Sequence, residues 1–251
     1  MPSSFRTRLV KGELLVGTML TLNNPSVAEL LAGLGFDWLF VDAEHSPLEA
    51  LQIQALLQAA GPDVACLVRL ASGGEVAIKK ALDVGAAGII VPQVNSAEQA
   101  ASAVRLAKYP PQGTRGVGIG RAHGYGLTFQ EYLASANQEV ALVVQAEHRH
   151  AVENIQAIVG VPGVDAVLVG PYDLSASLGR PGQVDHPDVV GAIGWITRAC
   201  RDAGMRLGIF GTSAEAVQPY IEQGYTLIIA GVDTLMLGQA ARQLLGKLKA
   251  H

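Results

Sequence analysis

Oxygen-bearing and imidazole side chains cluster where apolar runs of this chain break off. The run 36–41 stops at Asp42, Glu44 and His45; the run 141–144 stops at Gln145, Glu147 and His148; the run 165–172 stops at Asp173. Carboxylates of this kind suit hard divalent cations, and a nearby histidine suits proton transfer near neutral pH. Glu147 and Asp173 are the leading metal-ligand candidates, because two protein carboxylates completed by waters and a chelating substrate satisfy an octahedral Mg2+ or Mn2+ site. Each also has an ordinary reading as a loop carboxylate or helix N-cap, Asp173 in Pro171-Tyr172-Asp173-Leu174-Ser175 above all.

His45 follows Asp42 by three residues, in a turn that Pro47 ends, and reads either as an oriented base or as a solvated loop side chain. Glu44 reads as a cap or a solvent-facing residue. Arg69 ends the apolar stretch Ala65-Cys66-Leu67-Val68, so its guanidinium needs an anion, either a neighbouring carboxylate or an anionic substrate. His148 and His150 fall where a helix should begin and are expected at the surface. No spacing of Cys and His suits zinc.

These residues must be brought together by the elements that carry them. Short Val- and Leu-rich runs are the signature of buried parallel strands. Strands are predicted at 14–20, 38–42, 65–69, 88–91, 140–146, 165–169, 206–209 and 227–230. Helical periodicity fills the intervals at 25–34, 48–60, 75–84, 96–108, 152–159, 187–203 and 214–223, and 233–249 closes the chain. Pro25 after Asn24, Ser96 before Ala97, and Gly160 punctuate three of these helices. Eight strand–helix units predict an α/β fold, a (β/α)8 TIM barrel in one domain over 1–251. An open doubly wound sheet would carry a glycine-rich phosphate turn after its first strand, and Thr18-Met19-Leu20-Thr21-Leu22-Asn23 has none. In a barrel, residues just past the strands share the C-terminal face, which collects Asp42, Glu44, His45, Arg69, Gln145, Glu147 and Asp173. The glycines of 208–211 and Gly231 read as tight-turn geometry in preference to a phosphate site. The Gly- and Pro-rich segment 109–127 is too long for an ordinary connection and is expected to be functional.

Composition bounds the rest. A chain of 251 residues with 49% hydrophobic and 16% charged residues has a large core, and its low charge predicts a homo-oligomer that covers apolar surface. A net charge of −4 without a basic block argues against nucleic acid. No apolar stretch reaches bilayer length and the N-terminus lacks a signal-peptide core, so no membrane association and a cytoplasmic location are expected. Cys66 and Cys200 are unpaired in spacing and read as buried hydrophobes.

At Phe36-Asp37-Trp38-Leu39-Phe40-Val41-Asp42-Ala43-Glu44-His45-Ser46-Pro47 the chain resembles the HpcH/HpaI aldolase family, the class II pyruvate aldolases. Tyr109-Pro110-Pro111-Gln112-Gly113-Thr114-Arg115-Gly116-Val117-Gly118 resembles the family's long loop, and Gly170-Pro171-Tyr172-Asp173-Leu174-Ser175 and His186-Pro187 follow in the family's order. The resemblance implies a (β/α)8 barrel assembled as a hexamer, a trimer of dimers that exchange C-terminal helices. It implies a divalent metal (Mg2+, Mn2+ or Co2+) on Glu147 and Asp173. It also implies reversible cleavage of a 4-hydroxy-2-oxo acid into pyruvate or hydroxypyruvate and an aldehyde.

Carried over by residue, His45 is the acid–base group, Arg69 holds the keto oxygen and Gln145 borders the metal site. The backbone amides around Tyr172 and Asp173 receive the substrate carboxylate. Asp83 matches an aspartate linked to histidine activation, but it ends a helix and so would have to come from a neighbouring chain; Asp42 is the alternative orienter of His45. No lysine stands at a strand end, which speaks against a Schiff-base route. Ala146 and His148 around Glu147 depart from the family's pattern, as does the bulk of Tyr172, which bears on the donor pocket; Arg121-Ala122-His123-Gly124-Tyr125-Gly126 is closer to the hydroxypyruvate- or aldehyde-promiscuous branches than to the heptanedioate one, and all three bear on substrate choice. The second enzymatic reading is an oxaloacetate decarboxylase of the macrophomate-synthase type. A barrel kept only for binding would be expected to lack one of Arg69, Glu147, Asp173 or His45, and all four are present.

Overall fold

Each apolar run becomes one strand of a sheet that closes on itself. The computed structural model describes residues 4–249. In it β1 (Leu15–Leu20), β2 (Trp38–Asp42), β3 (Ala65–Arg69), β4 (Gly88–Val91), β5 (Ala141–Ala146), β6 (Ala166–Val169), β7 (Arg206–Gly211) and β8 (Leu227–Val232) form a closed barrel in chain order. Every neighbouring pair is parallel, and Leu15 opposite Leu227 joins the last strand to the first. The helices are α1 (Phe5–Lys11), α2 (Pro25–Ala32), α3 (Ala50–Ala60), α4 (Glu75–Asp83), α5 (Ala97–Ala107), α6 (Phe129–Glu139), α7 (Arg149–Val159), α8 (Pro171–Ser177), α9 (Pro187–Asp202), α10 (Ala214–Glu222) and α11 (Asp233–Lys249).

The strands alternate between two cores, as a period of two requires. Leu39, Val41, Val68, Ile89, Leu142 and Val144 face the surrounding helices. Trp38, Phe40, Leu67, Ile90, Val143, Leu168 and Ile229 fill the barrel interior. Carrying that parity to the strand ends turns Asp42, Arg69 and Gln145 inward, and the same alternation continues to Glu147. Trp38 closes the far end of the barrel, its ring 5.8 Å from that of Phe5 on α1. Gly17 makes room for it, since a Cβ there would sit 2.7 Å from the indole.

Asn24 and Ser96 cap α2 and α5 through their side chains, and Gly160 ends α7, as their positions predict. His148 is a half-buried N-cap whose Nδ1 accepts the His150 amide proton, so the surface reading of this pair holds. Three helices escape the periodicity reading. One is α1, which Ser4 caps. Another is α6, in which only Ala136 is fully buried and the apolar stripe is thin. The third is the short α8. The glycines of β7 serve packing: a Cβ at Gly211 would lie 2.7 Å from Val217 and one at Gly208 3.0 Å from the Leu227 carbonyl. Cys66 and Cys200 are buried free thiols, and burial pushes both up to about 12.

The segment 109–127 folds against its own subunit's flank. His123 is buried there, its Nε2 3.0 Å from the Tyr109 hydroxyl, and Arg115 lies 4.6 Å over the Tyr109 ring. No helix among the described residues is long and apolar enough to cross a membrane.

Candidate active site

Register places the first two functional side chains together. Asp42 and Arg69 are directly opposite on β2 and β3, both turned inward. The guanidinium grips the carboxylate at two points, Nε to Oδ1 and Nη2 to Oδ2, each 2.8 Å. Burial pushes the Asp42 carboxyl up, yet the paired guanidinium outweighs it and holds Asp42 below its ordinary value. Arg69 Nη1 lies 3.3 Å from Glu44 Oε2 and its guanidinium stacks 5.2 Å above the Phe40 ring. Glu44 is therefore an inward-leaning member of the site, not a solvent-facing cap. Its Oε2 is buried without a hydrogen-bond donor, and burial raises its carboxyl above the usual range.

His45 stands at the rim with 61% of its side chain exposed and Nε2 3.9 Å from Glu44 Oε2. Asp42, the alternative orienter of His45, accepts the backbone amides of Glu44 and His45 on its Oδ1 at 3.0 and 3.4 Å, so it shapes the turn that carries the imidazole. The Ser46 hydroxyl donates to the Asp42 carbonyl and tightens the same turn. Asp83 ends α4 and accepts from Arg115 Nη2 at 2.7 Å, so within one chain it has no access to His45.

Glu147 is 1% exposed. Its Oε1 accepts the Gln93 amide proton at 2.8 Å, and the Gln145 amide nitrogen donates to its Oε2. Gln93 adopts a left-handed backbone, φ 53°, to aim that N–H inward. Gly170 allows the approach, for a Cβ there would meet Glu147 Oε2 at 2.7 Å and Gln145 Nε2 at 2.9 Å. Burial, reinforced by Glu44 and Asp173 against the counter-pull of the Gln93 amide and Arg69, pushes the Glu147 carboxyl up to about 7.

Asp173 opens α8 at the edge of the same mouth, beside Tyr172. A cavity of about 700 Å3 joins Asp42, His45, Arg69, Gln145, Tyr172 and Asp173. Part of its wall was not anticipated from sequence: Met19, Leu22 and Phe210 come from β1, the turn after it, and β7, with Asn23 and Thr234 beside them. Asp233, buried at the end of β8, accepts from the Thr21 and Leu22 amides and holds that turn. The strand-end rule that singled out Asp173 applies equally to Asp233. No residue of 109–127 lines the cavity, so that segment's expected role is not met within one chain.

The donor set fits a hard divalent cation. Asp42, Glu44 and Glu147 surround one guanidinium, Asp173 adds its charge to Glu44 and Glu147, and both Gln145 Oε1 and Glu44 Oε2 are buried acceptors without hydrogen-bond donors. Among the described residues no group of three His, Cys, Asp or Glu side chains converges to cage an ion unaided. Two carboxylates would thus leave coordination positions for substrate and water, the pattern of magnesium sites that act on chelating ligands.

A family model described as HpcH/HpaI aldolase/citrate lyase matches residues 16–240. The chain is 40% identical to a hydroxypyruvate/pyruvate aldolase of Pseudomonas aeruginosa over 98% of its own length and 92% of the relative's. It is 40% identical to a 4-hydroxy-2-oxo-heptane-1,7-dioate aldolase of Shigella sonnei, covering 100% of this chain and 97% of that one. A crystal structure of an HpcH/HpaI aldolase/citrate lyase family protein from Burkholderia cenocepacia superposes with a TM-score of 0.94 at 38% identity, covering 97% of this chain and 98% of that one.

Proposed function

This chain belongs to the HpcH/HpaI aldolase/citrate lyase family, and we propose that it is a class II aldolase that reversibly cleaves 4-hydroxy-2-oxo acids to pyruvate or hydroxypyruvate and an aldehyde. The observation that carries this reading is the inward quartet of Asp42, Arg69 and Gln145 on three strands and Glu147 just past β5, with Asp173 and His45 at the same mouth. Its relatives' names supply the reaction class.

Glu147 and Asp173 would hold a divalent cation, Mg2+, Mn2+ or Co2+. When bound, it supplies Lewis-acid charge where negative charge develops on the 2-oxo acid. Asp42 takes the Nε–Nη2 edge of the Arg69 guanidinium and leaves the Nη1 donors, 3.3 Å from Glu44 Oε2, without a hydrogen bond. Those donors bind the keto oxygen and stabilise the enolate formed as C3–C4 breaks. His45 removes the C4 hydroxyl proton in cleavage; in synthesis it assists loss of a proton from the pyruvate methyl group. Burial of Phe40, Leu168 and Met19 around the quartet excludes water and strengthens each of these charges.

The assembly completes the reading. The α11 helix leaves Leu237, Leu244, Leu245 and Leu248 exposed, an apolar stripe its own barrel does not cover. Exchange of α11 between subunits of a cytoplasmic homohexamer would bury it.

Loss of the pyruvate methyl proton signal in D2O tests the chemistry. Exchange is expected with Mg2+ or Mn2+ and is expected to vanish with EDTA or in Glu147→Ala. Metal-independent exchange, or none with pyruvate and hydroxypyruvate alike, sinks the proposal.

A further inference from the structure

The cavity is chemically two-sided. Around the barrel, β2, β3, β5 and the end of β6 deliver Asp42, Arg69, Gln145 and Asp173; β7 and β1 deliver Phe210, Met19 and the following Leu22, with the uncharged Thr21, Asn23 and Thr234 beside them. In an eight-stranded barrel β3 and β7 are diametrically placed, so Arg69 and Phe210 face each other across the mouth. Tyr172 bridges the two arcs: it is 42% exposed, and its ring lies 6.1 Å from that of Phe210.

The apolar arc is preformed. Asp233 accepts from Thr21 N and Leu22 N, each at 2.8 Å, and from Thr21 Oγ1 at 2.6 Å, which pins the turn carrying Leu22 to the start of α11. With those bonds made, Asp233 is a holder of the wall and offers nothing to a ligand. Among the described residues lining the cavity, Arg69 is the sole guanidinium or ammonium, and it already faces Asp42 and Glu44.

We infer that the acceptor half of this cavity takes an uncharged aldehyde with an aliphatic or aromatic substituent and discriminates against aldehydes that carry a second carboxylate. The inference rests on the aldolase reading above. In the synthetic direction the enolate carbon of the 2-oxo acid bonds to the aldehyde carbon, and the aldehyde oxygen gains a proton to become the C4 hydroxyl. The 2-oxo acid occupies the polar arc, so the substituent on the aldehyde carbon runs toward Leu22, Phe210 and Tyr172. An apolar substituent there leaves water for a matching surface. A carboxylate there loses part of its hydration and gains no counter-ion, while Asp42 and Asp173 repel it. The volume of about 700 Å3 leaves ample room for a ring beyond a three-carbon acid.

Two four-carbon aldehydes isolate the charge: butanal ends in a methyl group and succinic semialdehyde in a carboxylate. With pyruvate and saturating Mg2+, kcat/KM for the wild-type holoenzyme should favour butanal by at least about tenfold. Leu22→Arg should narrow that ratio about tenfold by placing a cation in the apolar arc. As a second variant, Tyr172→Ala should lower kcat/KM for benzaldehyde relative to butanal. Equal or better use of succinic semialdehyde by the wild type overturns the inference. Methyl exchange of pyruvate without any aldehyde separates the two levels: exchange with no preference for butanal removes the inference alone, and no exchange removes the aldolase reading with it.

Discussion

Asp42 is the residue on which the polar arc turns. It grips one guanidinium edge at both ends, and it also receives the amides of the turn that carries His45. Removing its charge leaves a buried cation with no hydrogen-bonded carboxylate, only the looser attraction of Glu44 and Glu147, and a buried ion that loses its partner is costly. Asp42→Asn should destabilise the fold by about 3 kcal/mol in urea titrations. A loss below about 1 kcal/mol would mean that Glu44 replaces Asp42. The pH dependence has a definite sign. The folded carboxyl lies below its ordinary value of 3.8, so its stabilisation is fully present above that pH and is lost as pH falls through the lowered value. The stability gap between wild type and Asp42→Asn should therefore be constant from neutral pH down to about 5 and close below the ordinary carboxylate range. A gap that persists into strong acid would assign it to packing instead of charge.

At the scale of elements, the short strand β4 shows how closely the barrel interior is fitted. Gly88 pairs with Leu67 on one side and Ala141 on the other. A Cβ there would lie 2.6 Å from the Ala141 carbonyl oxygen and 2.8 Å from the Ala141 Cβ. Both are backbone-anchored atoms of the neighbouring strand, so relief requires the two strands to part. Gly88→Ala should cost about 2 kcal/mol, an overpacking penalty, and lower the thermal midpoint by several degrees. Midpoints that coincide within error would show that β4 and β5 can separate freely. Because β5 carries Gln145 and leads into Glu147, the same substitution should weaken Mg2+ binding, which isothermal titration would read directly.

For the whole molecule, the outward stripe of α11 predicts assembly. Light scattering coupled to size exclusion should give about six times the 26.2 kDa chain mass. Charging the stripe with Leu244→Asp and Leu248→Asp should yield smaller species, because both side chains are exposed on the isolated chain and make no core contact there. A wild-type monomer, or a variant of unchanged mass, would place the interface elsewhere. Asp233 begins the same helix and holds the turn after β1, so the double variant leaves that lock in place.

Strand periodicity, strand order and the residue types at strand ends are local properties, and from them the sequence alone determined the barrel and most of its polar arc. Alternate residues must face alternate sides, which turned Asp42, Arg69 and Gln145 inward once the strands were located. The family likeness of the motifs added the reaction class. Closure and shear of the barrel decided the rest, because they set which distant residues meet. Only the register of β2 on β3 gives Arg69 to Asp42 instead of His45. The left-handed backbone of Gln93, aimed at Glu147, has no signature in its own segment. Bringing β7 round to face β3, with β1 one strand beyond β8, gathered Phe210, Met19 and Leu22, residues that read individually as core, into one stretch of wall. Segment 109–127 promised function by its length, yet burial of His123 and stacking of Arg115 fold it onto the flank. A side chain's direction follows from its own strand; its partner follows from how all eight strands close.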